Sequence, residues 1–237
     1  MKCKAITFTA FLYAFLTILT VELSAAGEDG QQVNIKFAAV GFSDTISNLG
    51  FYDGSKWIPI EIPEATRSRE FEYSGPSTIR FAEMPVPVDG ETPVIAEATV
   101  TPDIERPLFI FVKAPAGSTR DYRVLVFEDS FSYFTPGSYR LANLTSKNLG
   151  LTLGEERVLL ESKAIKTIRP DQENRSYFAF KVFALSGNED HRQLFSSRWF
   201  YESNSRMLVF LLNDPRRDLV VLKTVYDKSD PELLGQE

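Results

Sequence analysis

One pattern occurs twice in this chain, one hundred residues apart, and that spacing limits the folds open to it. Asn48-Leu49-Gly50-Phe51 returns as Asn148-Leu149-Gly150-Leu151, with Gly54 and Gly154 placed alike and Ile58, Ile60 and Glu61 answered by Val158, Leu160 and Glu161. Further on, Arg106 and the apolar run Leu108 to Val112 up to Pro115 correspond to Arg206 and Leu208 to Leu212 up to Pro215. Turn glycines, apolar runs and closing prolines that coincide in one register are the mark of a supersecondary unit used twice.

The units themselves read as β structure. Val33 to Val40 alternates apolar and polar residues, which gives one face to a core and the other to water. Tyr52-Asp53-Gly54-Ser55 is a tight turn, since Asp-Gly supports the positive φ angles of a short hairpin. Lys56 to Ile62 carries Pro59 and is followed by Pro63, which lack a ladder donor and place that strand at an edge or end it early. Arg69 to Tyr73 and Thr78 to Phe81 flank Ser74-Gly75-Pro76-Ser77, again turn chemistry. Val94 to Val100, Leu108 to Val112 and Tyr122 to Phe127 complete the first unit. In the second, Ser138 to Leu141, Leu149 to Leu153, Lys163 to Arg169, Tyr177 to Leu185, Gln193 to Tyr201, Met207 to Leu212 and Leu219 to Tyr226 are expected strands. Short strands with a turn every eight to twelve residues predict an all-β protein of two tandem β-sandwich domains, immunoglobulin-like or of a related Greek-key kind. The expected divisions are 33–129 and 137–228 for the sandwiches and 229–237 for a C-terminal tail. Residues 130–136 form a connector whose Phe131, Tyr133 and Phe134 favour packing over swinging freely.

The first twenty-six residues read differently. Met1-Lys2-Cys3-Lys4 is a short positive start, Ile6 to Val21 is almost uninterrupted apolar sequence, and Ser24-Ala25-Ala26 offers small residues to a signal peptidase. We expect 1–26 to be a cleaved secretory signal, because the stretch is short for a membrane span and Glu22 interrupts its end. No stable span then remains. Its loss removes Lys2, Lys4 and Glu22 from totals of 26 basic and 32 acidic residues, leaving 24 and 31, a net charge of −7. Nucleic acid, which demands a basic stripe, is an unfavourable partner for such a chain. The one cysteine, Cys3, leaves with the signal, so no disulfide is expected and the domains must hold by packing alone. A periplasmic or extracellular location follows.

Catalytic motifs are scarce. His191 is the sole histidine, and with no cysteine in the processed chain neither a thiol nucleophile nor a multi-histidine metal site is expected. His191 stands beside Glu189-Asp190 without a Gly-x-Ser-x-Gly elbow and reads as a solvated turn residue. Glu155-Glu156, Glu189-Asp190 and Asp227 to Asp230 are the carboxylate pairs that a hydrolase could use, if two of them faced each other across a cleft. Lacking an Asp-x-Asp-x-Asp-Gly loop, they read as solvated turns and imply no bound metal or cofactor. Arg106 and Arg206 read as strand-end charges that keep an edge soluble. Asn143-Leu144-Thr145 and Asn174-Arg175-Ser176 satisfy the glycosylation sequon.

Aromatic residues are the better recognition candidates. Trp57, Trp199 and Tyr201 are the proposed ligand-binding residues, since flat amphipathic rings stack on sugars or anchor a protein partner. Core packing competes with that role, as sandwiches commonly bury a tryptophan. The leader followed by a strand, Asn-Leu-Gly, a turn glycine and a closing apolar strand resembles small secreted bacterial proteins of uncharacterised function with tandem β-sandwich domains. The resemblance spans Val33 to Asp227, carried by Asn48 to Gly54 and Asn148 to Gly154, and implies an envelope location. The expected function is a secreted, non-catalytic binding or assembly protein whose partner is an envelope protein or polysaccharide. A carbohydrate-binding module and a paired-carboxylate hydrolase are the alternatives. If the leader is cleaved, intact-mass measurement of the exported protein should show a chain beginning at Gly27, whereas an intact Met1 in the membrane fraction would make the leader an anchor.

Overall fold

The computed structural model describes residues 31–87, 91–185, 192–214, 217 and 219–228. They form 16 β-strands in four four-stranded sheets. The first eight are β1 (Gln32–Gly41), β2 (Ile46–Tyr52), β3 (Trp57–Ile62), β4 (Phe71–Pro76), β5 (Thr78–Glu83), β6 (Val94–Thr99), β7 (Pro107–Lys113) and β8 (Tyr122–Glu128). The next eight are β9 (Tyr139–Asn143), β10 (Leu149–Leu153), β11 (Glu156–Leu160), β12 (Ile165–Ile168), β13 (Ser176–Ala184), β14 (Arg192–Tyr201), β15 (Ser205–Asn213) and β16 (Val220–Lys228).

The two halves share one topology. Sheet orders β4-β1-β7-β8 and β3-β2-β5-β6 in the first half become β12-β9-β15-β16 and β11-β10-β13-β14 in the second. Even the one parallel pairing in each, β1 with β7 and β9 with β15, is repeated. Gly54 and Gly154 sit in the matching hairpins β2–β3 and β10–β11 at φ +96° and +65°, a region open to glycine because it has no Cβ. In the first of these turns the Asp53 carboxylate accepts hydrogen bonds from the amides of Ser55 and Lys56. Pro59 does lie on an edge strand, β3.

Two expectations need correction. Arg69–Tyr73 and Thr78–Phe81 do not form a hairpin: β4 pairs with β1 and β5 with β2, so the chain crosses between sheets at Ser77. Ser74, Gly75 and Pro76, expected as turn, extend β4 in register with Asn34, Val33 and Gln32, and the chain steps across at Ser77 alone. Glu155 lies in the turn, but Glu156, expected there with it, opens β11, where Val158 and Leu160 face the core as their counterparts Ile58 and Ile60 do in β3.

Packing stacks the four sheets as layers. The β4-β1-β7-β8 and β3-β2-β5-β6 sheets enclose a core of Phe37, Phe51, Phe81, Phe109 and Phe111 with Ile62 and Ile79. The second pair encloses Leu141, Leu149, Leu151, Phe180, Val182, Val209 and Leu211. A third cluster joins the halves: Val40, Leu108, Ile110 and Phe127 meet Ala142, Leu208, Phe210 and Val225. Consequently β7 and β15 are buried on both faces, with Phe109 and Phe111 turned into one core and Leu108 and Ile110 into the joint. That is why their sequences run apolar without alternation. Phe210 holds the joint together through edge-on contacts with Phe42 and Phe127 at 5.4 and 5.6 Å.

Beside this apolar joint lies a buried ionic one. Arg206, expected as a solvated strand-end charge, has a side chain only 3% exposed. Its Nε donates to Asp227 Oδ2 at 2.8 Å and its Nη1 to the carbonyls of Asp129 and Phe134 at 2.7 and 3.1 Å. Arg67 reaches Asp129 from the other side with two hydrogen bonds of 2.9 and 2.8 Å. The correction has a simple cause: strand β15 is central, so a charge at its start is enclosed by the connector. Phe131 lies 4.2 Å from the Arg206 guanidinium, and Phe134 is fully buried. Arg106 stays closer to the surface, bonded to Glu70. The connector therefore packs against both halves. Removing one member of a buried ion pair strands its partners at a cost of about 3–5 kcal/mol. Arg206→Ala should lower unfolding free energy by that amount in a denaturant titration, and a loss below about 1 kcal/mol would mean that the network is solvated.

Candidate functional site

The eight sheet edges are not equally protected. Edge strand β3 carries Pro59, β4 ends in Gly75-Pro76, and β12 has four residues. Edges β6 and β8 close on each other: the Asp121 amide donates to the Ile95 carbonyl at 3.0 Å, and Arg120 pairs with Glu97 at 2.9 Å. Their inward residues Ala96 and Ala98 are fully buried.

The corresponding seam of the second sandwich lies between β14 and β16, and it is open. Among the described residues, no backbone hydrogen bond passes from β14 to β16. One end is tied by side chains, where the Tyr226 hydroxyl donates to Glu202 at 2.6 Å and Lys228 lies 3.9 Å from the same carboxylate. Burial, followed by the hydrogen bond to Glu202, raises the Tyr226 pKa, and that of Tyr139 is raised by burial and the nearby Tyr201 and Tyr226. Both phenols thus stay protonated at neutral pH. Phe195, Trp199 and Leu222 face the core here yet are only partly buried. Strand β14 is ten residues long, RQLFSSRWFY, with neither proline nor glycine. Unpaired amides and carbonyls on such an edge are a template for another strand.

The aromatic candidates fall in three different settings. Trp199 stacks on Phe180 at 3.9 Å and 6°, with Tyr139 and Phe178 also against it, so its ring belongs mainly to the core. Tyr201 is 3% exposed and offers no free face. Trp57 sits in the other sandwich, half-buried against Tyr52 at 5.5 Å. The structure therefore does not bring the three together. Rings that do face water on the second sandwich include Tyr226 and the pair Tyr177 and Phe200, cross-strand neighbours 4.9 Å apart and inclined at 54°. The pair escapes a sequence reading because Arg198-Trp199-Phe200-Tyr201 shows alternation without showing which face is covered.

Around Tyr177 and Phe200 the outward face of the β11-β10-β13-β14 sheet has its own character. Registered rows read Leu159–Gly150–Phe183, then Arg157–Thr152–Lys181–Ser196, then Ala179–Arg198, then Tyr177–Phe200. Over Gly150 a shallow trough of about 800 Å³ is bordered by Leu159, Phe183 and Leu185. The Arg198 guanidinium lies 4.5 Å above the Tyr177 ring.

Other features are less suited to a site. Glu155, Glu156, Asp171 and Glu173 border a cleft of about 490 Å³ at the Gly154 turn. Among the described residues, no three acidic or histidine side chains converge to hold a metal ion. Asp227 is committed to Arg206. Glu189, Asp190, His191 and Asp230 lie outside the described residues. Asn143 is fully buried and its side-chain amide donates to the Lys147, Leu160 and Glu161 carbonyls, so that sequon is a structural bracket in the folded protein. Asn174 is exposed.

No protein-family model matches this chain, and no curated protein matches it. If Trp199 is core, Trp199→Ala should cost about 3–5 kcal/mol and lower the melting temperature clearly. Trp57→Ala, at a half-open strand end, should lower it by much less, and equal shifts for the two would contradict the placement.

Proposed function

We propose that the protein is an exported binding or assembly protein, without catalysis of its own, that takes up an extended segment of a partner protein by strand addition along β14. One observation supports this reading above the others: β14 is a long, proline-free edge whose inward Phe195 and Trp199 are partly uncovered, while the duplicate of that edge, β6, turns buried Ala96 and Ala98 inward and is bonded through Ile95 and Glu97 to the chain entering β8. An added strand gains main-chain hydrogen bonds for affinity and alternate side-chain positions for specificity. It also covers Phe195 and Trp199, whose burial is worth roughly 25 cal/mol per Å² of apolar surface.

A sugar platform is less well supported, because stacking on a pyranose ring favours coplanar exposed rings, whereas Tyr177–Phe200 and Tyr52–Trp57 are inclined at 54° and 52°. The envelope location rests on the leader at 1–26.

The edge can be tested with Ser196→Pro and Ser197→Pro. On an edge strand, consecutive amides point alternately to the neighbouring strand and to solvent. One of the two prolines breaks a bond to β13 and the other blocks only the free edge. Whichever variant keeps the wild-type melting temperature is the probe. Panning a random peptide display library should enrich peptides that bind the wild type and fail on that variant. Recovery only of peptides indifferent to the edge, or no enrichment at all, would overturn the reading.

A further inference from the structure

The two outer sheets have the same topology and strands of opposite net charge. Strands β10, β13 and β14 contain no acidic residue, and with β11 they carry Arg157, Lys181, Arg192 and Arg198 against Glu156 alone. The matching strands β2, β3, β5 and β6 carry Glu61, Glu83 and Glu97 against Arg80. Topology does not require a basic face, and the chain as a whole is acidic. Arg157, Lys181 and Arg198 form no salt bridge with any described residue. Three cations that form no salt bridge with a described residue, on one sheet face beside an open strand edge, describe a preference in what that edge accepts.

We propose that the segment taken up along β14 is acidic, with carboxylate side chains at two alternate positions and one apolar side chain between them. The inference rests on the strand-addition reading. Register supplies the pattern. A strand added to β14 lies about 4.8 Å from it, and its outward side chains stand opposite Ser196 and Arg198. A carboxylate opposite Arg198 meets the guanidinium directly, in the cross-strand arrangement that favours opposite charges. A carboxylate opposite Ser196 faces a small residue behind which stands Lys181, its cross-strand partner. The flexible lysine stem can lean across that serine to meet it. The intervening residue points inward opposite Ser197, which sits between the larger Phe195 and Trp199 on the core-facing side of β14. An apolar side chain fills that notch. Lysine in place of the carboxylates would bring like charges onto Arg198 and Lys181.

Three capped eight-residue peptides test this: valine alternating with glutamate, with threonine, and with lysine. Each is titrated into isotope-labelled protein while β14 amide shifts and exchange rates are followed. The glutamate peptide should protect β14 amides and bind at least tenfold more tightly than the threonine peptide, losing affinity as salt is raised, and the lysine peptide should bind least. Arg198→Glu should reduce glutamate-peptide affinity by tenfold or more at an unchanged melting temperature. If threonine and lysine peptides protect β14 as well as the glutamate peptide, the acidic preference is wrong and strand addition stands. If the glutamate peptide binds while β14 amides are unaffected, or no peptide binds, both are wrong.

Discussion

Strands β7 and β15 are each buried on both faces, and every layer of the molecule takes its position from them. A strand with an apolar residue at every position must be covered twice, and in each half one covering sheet comes from its own sandwich and the other from its sibling. The joint is therefore a third core, continuous with the others through the same two strands. At its margin the chain encloses Arg206, which must be paired because an isolated buried charge is far too costly. Asp129 at the end of the first half, Asp227 on β16 and carbonyls of the connector supply that pairing. The ionic joint thus ties the connector's path to the register of the two halves.

Duplication of a topology leaves the edges free to diverge. In the first sandwich the small residues Ala96 and Ala98 let β6 close down on β8. In the second, the corresponding strand carries Phe195 and Trp199, larger rings packed against the core and only partly covered. Since neither edge bears on the joint, one could be sealed and the other left open at little cost to the shared architecture. The basic face next to the open edge follows the same division, since its cations lie on the layer farthest from the joint.

Much of this fold can be read from residue order, because its signals are local. Asp53-Gly54 specifies a hairpin wherever it lies, and the run Leu108 to Val112 announces a strand buried twice. The sheet crossing at Ser77 is invisible by the same logic: Ser74 to Ser77 has turn chemistry whether the chain folds back or steps across. Strand β11 hides behind Glu155-Glu156, whose charges suit an exposed hairpin and a loop equally. The site depends on non-local facts. Alternation within Arg198 to Tyr201 separates two faces, but only the neighbouring sheet makes one of them core, which buries Tyr201, covers Trp199 in part and leaves Phe200 exposed. An open edge is defined by what fails to approach it, and for that no residue pattern within β14 is a signal.

Three apolar cores joined into one body, with β14 left as an unpaired edge among the described residues, set a definite pattern of local opening. Native-state amide hydrogen exchange, followed residue by residue in the free protein, tests it most directly. Central amides of β7 and β15 should share one opening free energy, that of global unfolding, while alternate amides along β14 should exchange almost as fast as in an open chain. Separate opening energies for β7 and β15, or uniform protection along β14, would contradict it.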